Sequence, residues 1–208
     1  MKATRSVWGL VAVAAFAMFS AQSAVAAPGT GILGTKHDFT TRTGQVCAAC
    51  HAPHNALTTT VLWNHMASTA TYTLYTSPTM KAVAGQPGAT SKLCLSCHDG
   101  TVAIDNFGTV TTATNKLTGS ANIGTDLSRN HPIGITYAVD PGLKLATAAA
   151  TIGTNNVGTV ATKLLIGGLV ECASCHDVHS SPANTANSSG LLKIDKAGSA
   201  LCLACHVK

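Results

Sequence analysis

The chain has 208 residues, eight of them cysteine, with 10% charged and 4% aromatic residues and a formal net charge of +5. An ordinary domain carries about 25% charged residues, so this composition excludes a coiled coil, a collagen and a charged disordered tail. Nine aromatics (Trp 2, Tyr 3, Phe 4) are few anchors for a core, so something other than side chains must supply much of the buried apolar volume.

Residues 1–26 read as a secretory signal peptide. Lys2 and Arg5 form the basic start, Val7 to Phe19 the apolar stretch, and Ala24-Val25-Ala26 an A-x-A cleavage site. The apolar run falls short of the roughly 20 residues that a spanning helix needs, and Leu164 to Val170 is shorter still. No cysteine precedes Cys47, which argues against a lipid anchor. The expected mature protein is therefore extracytoplasmic, with no membrane span. Cleavage leaves 11 Lys+Arg against 8 Asp+Glu, or +3, which is no basic footprint for nucleic acid.

Ala27 to Val46 is Gly/Thr-rich and reads as extended, carrying His37. Thr101 to Thr162 is rich in Thr, Gly, Asn and Ala and predicts mostly loop with a few short strands or a hairpin. Ser91 and Ser199 precede apolar LCL runs, where they would cap short helices. Ser181 to Gly190 is a loop by composition.

Every cysteine falls in one of four CxxCH motifs: Cys47-Cys50-His51, Cys94-Cys97-His98, Cys172-Cys175-His176 and Cys202-Cys205-His206. This is the c-type haem attachment signature. Two thiols three positions apart meet the two vinyl groups of a haem as thioethers, and the next residue sets an imidazole under the iron. Zinc sites, exchanging dithiols and structural disulfides also use paired cysteines, but none requires histidine directly after the second. Four such coincidences would arise by chance roughly three times in a million. The sequence therefore predicts four covalent haems, with His51, His98, His176 and His206 as proximal ligands. Their macrocycles would provide the missing apolar core, and the chain without haem is expected not to fold.

Five histidines remain, and an internal repeat sorts them. CAACHAPH (47–54) and SKLCLSCH (91–98) recur as CASCHDVH (172–179) and SALCLACH (199–206), each half with one histidine upstream, His37 and His131. The mature domain, 27–208, thus reads as a duplication. Residues 37–98 hold haems I and II, 131–206 hold haems III and IV, and a Thr/Gly-rich lobe lies within 99–171. His37, His54, His131 and His179 are the candidate distal ligands. His65 has no counterpart and is the spare. His54 and His179 lie three residues beyond a proximal histidine, which on a helix puts both rings on one face. They cannot flank one iron, so each should reach a neighbouring haem. With histidines sufficient, Met66 and Met80 read as packing residues. The last motif ends two residues before Lys208, an arrangement expected to leave that haem near an edge.

The pattern resembles the multihaem cytochrome c family named for its doubled CxxCH motif. HDF, CHAPHN, LWN, YTSPTM, LCLSCHDGTVA, NHPIG and SALCLACH resemble the secreted tetrahaem cytochromes of metal-reducing bacteria (OmcE type). The resemblance covers nearly all of the mature chain and is weaker at 101–130 and 138–168. It implies polymerisation: subunits stack into extracellular filaments, and a histidine of one completes a haem of the next. Any distal histidine is a candidate for that role, His37 first. The implied partners are copies of the chain, other multihaem cytochromes, minerals and electrodes.

The expected fold is mainly irregular, with short α-helices and a few short strands organised around haems. The leading functional expectation is an extracellular electron conduit, and the alternative is a monomeric periplasmic carrier. Iron ligated on both faces has no open position for substrate, so no enzymatic turnover is expected. Replacing His65 should leave every haem low-spin, whereas replacing His131 should leave one high-spin. Optical and electron paramagnetic resonance spectra of the two variants distinguish these outcomes.

Overall fold

The computed structural model describes residues 31–57, 60–152, 156–179 and 191–208. The signal sequence, the start of the Gly/Thr-rich segment and the loop at 181–190 lie outside them. The chain is mostly coil, with five short helices and four short strands among the described residues: α1 (Thr40–Thr43), α2 (Ala89–His98), β1 (Ile135–Thr136), β2 (Ala149–Ile152), β3 (Asn156–Thr159), α3 (Val160–Lys163), β4 (Leu169–Val170), α4 (Cys172–Cys175) and α5 (Ala200–Leu203). This agrees with the fold class expected from composition.

Two small antiparallel sheets form. β2 and β3 make a hairpin with Ala150 opposite Gly158, and β1 pairs with β4 through Ile135 and Val170. The hairpin falls in the Thr/Gly-rich lobe, as expected for Thr101 to Thr162. Its alternating burial turns Ala150 and Ile152 inward, where they join Val160, Leu164 and Leu165. Thr159 caps α3 through a reciprocal box with Thr162. Tyr137, Ala204 and Cys205 pack on this cluster, so the lobe supports the fourth motif.

The second cluster is built on α2, the longest helix among the described residues. Leu95, fully buried between the two cysteines of the second motif, packs with Tyr72 and Leu127. Ser91 does not cap this helix. Gly88 occupies the N-cap position in extended conformation, and the Ser91 hydroxyl lies within the first turn, bonded to Glu171. The helix ends where Gly100, at φ +70°, turns the chain. A Cβ there would collide with the Asn122 side chain, so only glycine allows this exit. Ser199 does precede α5 but takes a left-handed conformation and makes no side-chain cap bond. The segment before the first motif is a series of turns and the single-turn α1 rather than an extended arm. Asp38 organises it by accepting from Gly34 and Thr40.

Two small clusters are a modest apolar core, and α2 depends on one of them. Leu95→Ala should therefore destabilise the haem-loaded protein by about 2–5 kcal/mol, read as a fall in the denaturant midpoint at unchanged slope.

Candidate functional site: the cysteine–histidine motifs

The motif histidines stand at the end of a helix or beyond a short helix or turn. At the third motif α4 ends at Cys175, and His176 is extended (φ −107°, ψ 144°). A short antiparallel clamp then grips the residue from both sides. Lys193 N–H donates to the Cys175 carbonyl and Asp177 N–H to Leu191, both at 2.8 Å. The first motif repeats the arrangement, with Asn64 N–H to Cys50 (2.9 Å) and Ala52 N–H to Leu62 (3.0 Å). The fourth does so again, with Lys144 N–H to Cys205 (2.7 Å) and Val207 N–H to Gly142 (2.9 Å). Tyr137 reinforces this last clamp by donating to the Lys144 carbonyl at 2.8 Å. The second motif differs because α2 runs through it; there Ile123 N–H donates to the His98 carbonyl at 2.8 Å.

The side chains are oriented as well. His51 Nδ1 lies 2.7 Å from the Val61 carbonyl and His98 Nδ1 2.8 Å from that of Ala121. A carbonyl fixes the proton on Nδ1 and leaves Nε2 with its lone pair free, the tautomer a metal requires.

Three proximal rings face a second imidazole. The ring centroids of His37 and His98 are 5.8 Å apart, those of His51 and His179 6.0 Å, and those of His131 and His206 6.3 Å. A metal–imidazole bond of about 2.0–2.1 Å, with the centroid about 1.1 Å beyond the nitrogen, puts two rings on opposite sides of one metal about 6.3 Å apart. The three separations come within about 0.5 Å of that spacing. Burial pushes the pKa of His37 down, and His98 and His176 push it the same way, favouring the neutral, ligating form. His179 faces the first motif's histidine rather than its own. The three-residue spacing works here without a helix, because the extended His176 sends the chain away.

The remaining histidines differ. His54 is exposed and, among the described residues, faces no proximal ring. His65 is 3% exposed, and both its ring nitrogens lie against carbonyls, Nδ1 against Met66 (2.9 Å) and Nε2 against Ala103 (3.0 Å). Asn106 donates to the Met66 sulfur at 3.9 Å.

The mutual influence of the cysteine thiols follows chain order. Burial and then the Cys50 thiol push Cys97 up to about 12. Cys94 and Cys172 share a hydrogen bond that raises the first and lowers the second. Burial and then Cys205 push Cys175 up. The thiols of consecutive motifs thus lie within electrostatic reach of one another.

Two further features suit a haem. A cleft of about 280 Å³ beside Cys47 and His51 is walled by Ala48, Pro53, Val61 and Leu62. Nearby, Trp63 Nε1 is buried without a hydrogen-bond partner among the described residues, its ring edge-on to His51 at 6.0 Å. A buried orphan donor is costly, and a haem carboxylate would satisfy it. The clamp segments around Trp63, Leu143 and Leu192 and the node at Glu171 were not singled out by the sequence. Only the isolated tryptophan of LWN and the lone glutamate signalled them.

Residues 167–208 match the family model described as the doubled CXXCH motif. With the geometry above, this supports a multihaem c-type cytochrome, an electron-transfer protein. The match spans the third and fourth motifs. No curated protein matches the chain. Among the described residues, no helix is long and apolar enough to cross a membrane.

Proposed function

We propose that the chain carries four c-type haems, one on each motif, and passes electrons along them as the subunit of a secreted, extracellular filament. Cys47/Cys50, Cys94/Cys97, Cys172/Cys175 and Cys202/Cys205 would hold the macrocycles by thioethers, with His51, His98, His176 and His206 as proximal ligands. The haem iron supplies one-electron cycling between ferric and ferrous states; the chain's residues hold, orient and insulate it.

The observation that carries this reading is the set of three imidazole pairs at 5.8–6.3 Å. They support His37, His131 and His179 as distal ligands to the haems of the second, fourth and first motifs. The mutual reach of consecutive thiols supports a haem line in chain order, continuous across the two halves 37–98 and 131–206. Rings on both faces of an iron leave no position for substrate, which favours electron transfer over turnover. His65, with both nitrogens engaged by carbonyls, fits the role of spare.

The filament reading adds a ligand in trans. His37, first choice on sequence grounds, lies against His98 of its own chain. The role passes in our reading to His54, the exposed member of the distal set. Its imidazole would complete a haem in the adjacent copy. Filaments present electrons to minerals, electrodes or other multihaem cytochromes without a diffusing carrier.

Electron microscopy of the natively secreted, haem-loaded protein tests this reading. Uniform filaments are expected, with His54→Ala giving dispersed protein and one high-spin haem. Dispersed monomers of the unaltered protein at high concentration would instead identify a periplasmic carrier. Filaments indifferent to His54→Ala would remove His54 from the junction.

A further inference from the structure

Among the described residues, five that are not glycine have a positive φ: Asn55, Val61, Leu62, Leu191 and Ser199. Asparagine tolerates that conformation through its short polar side chain, but branched aliphatic residues are strained in it. Glycine adopts it freely, and this chain uses glycine for it at ten described positions. The three branched exceptions share a location, each in a clamp segment beside a motif histidine. Val61 (φ 48°) and Leu62 (φ 53°) adjoin the first motif, and Leu191 (φ 53°) adjoins the third. A branched side chain kept where glycine would be unstrained implies that the side chain itself has a task.

Leu62 and Leu191 occupy the same place in their clamps. The Leu62 carbonyl accepts from Ala52 N–H and the Leu191 carbonyl from Asp177 N–H, in each case the residue after the motif histidine. Leu191 is 6% exposed, whereas Leu62 is 50% exposed and Val61 beside it 55%. The third motif's leucine is covered by the chain, and the first motif's pair is left open. Scattered exposed apolar residues are ordinary, and Val83 is more exposed still. Val61 and Leu62 differ in combining a strained backbone with a place on the wall of the cleft beside Cys47 and His51. Among the described residues no Lys, Arg, Asp or Glu lines that cleft. The Val61 carbonyl meanwhile holds His51 Nδ1 at 2.7 Å. One left-handed turn therefore orients the histidine with its backbone and faces the cleft with two apolar side chains.

We propose that Val61 and Leu62 are a water-excluding cover for the haem on Cys47/Cys50, held in a strained turn so that the segment that orients His51 also lays two apolar side chains on the macrocycle. Reduction adds one electron to ferric iron and removes one positive charge; no bond forms or breaks. Water stabilises the more charged ferric form, and an apolar surround disfavours it. The cover therefore favours the ferrous state of this haem, and opening it to water makes the haem harder to reduce. At the third motif the equivalent leucine is already enclosed by protein. At the first, two side chains set the solvent access that a core sets elsewhere.

This rests on the haem assignment above. In the haem-loaded protein the Leu62 methyl protons should cross-relax with the methyl resonances of the first haem. Leu62→Asn and Val61→Asn then test the cover, because asparagine accepts a left-handed backbone and brings a polar side chain. In a redox titration followed through the haem methyl resonances, either variant should lower the first haem's ferrous fraction at a fixed potential by about threefold. The haem on Cys202/Cys205 should not move, and the Ala52 amide should keep its protection from hydrogen exchange, showing the clamp intact. Val83→Asn, at an exposed valine outside the cleft, should shift no haem. The proposal is overturned if Leu62 shows no contact with the first haem, or if both variants leave its potential unmoved. It is overturned equally if they alter assembly of the protein at unchanged potential, which would assign the pair to a second copy. Should Leu62→Asn fail to take up haem, Val61→Asn decides. Intact-mass measurement separates the two layers: a first motif without covalent haem in the unaltered protein refutes the assignment, whereas four haems with unmoved potentials refute this proposal alone.

Discussion

An imidazole turns freely about two side-chain bonds, and the proposed haem ligation requires two imidazoles to meet at about 6 Å. Removing that freedom is the constraint on which the rest of this chain depends. The backbone is gripped on both sides of His51, His176 and His206 by a two-bond antiparallel clamp. His98 is gripped by the end of α2 and by Ile123. Carbonyls of Val61 and Ala121 then set the ring tautomers of His51 and His98. The partners arrive from distant sequence: His37 from the turns before α1, His131 from the loop before β1, His179 from beyond α4. Short elements suffice because each has only to hold one side chain. Long helices would carry successive histidines on one face and deny them access to neighbouring sites.

That constraint also explains a core of two small clusters. Leu95 and its neighbours stabilise α2, and the β2–β3 hairpin with α3 backs the fourth motif. Neither cluster spans the molecule. What joins the halves is the Glu171 node, where one carboxylate bonds the first turn of α2 and caps α4, and beside it the Cys94–Cys172 contact. This structural joint lies where the second and third motifs meet.

Spacing made the chemistry legible. CxxCH indicates which residues attach haem; the repeated CHxxH aligns His54 with His179 in sequence, yet among the described residues it is His179 whose ring faces a motif histidine. The irregular fold was legible too, because Thr- and Gly-rich segments lack the periodicity of long elements. Spacing does not give tertiary pairing. SKLCLSCH and SALCLACH are nearly the same string, yet the first lies in a ten-residue helix and the second in a four-residue one. Glu171, eighty residues from Ser91, anchors the first turn of α2 through Ser91 and Gly88. Ser91 looked like a cap by position, but it is a link between motifs. The clamps were hidden for the same reason: each pairs a motif with a segment that carries no chemistry of its own.

Three pairs of rings at three different tilts are the centre of this account, and their geometry can be read directly. The planes of His51 and His179 lie at 22°, those of His37 and His98 at 40°, and those of His131 and His206 at 75°. Near-parallel imidazoles on ferric haem give a rhombic low-spin resonance, and near-perpendicular ones give a signal with a single large g value. Low-temperature electron paramagnetic resonance of the oxidised, haem-loaded protein should therefore show both classes together. A spectrum of one low-spin class only, or one dominated by high-spin iron, would contradict the pairing of these histidines.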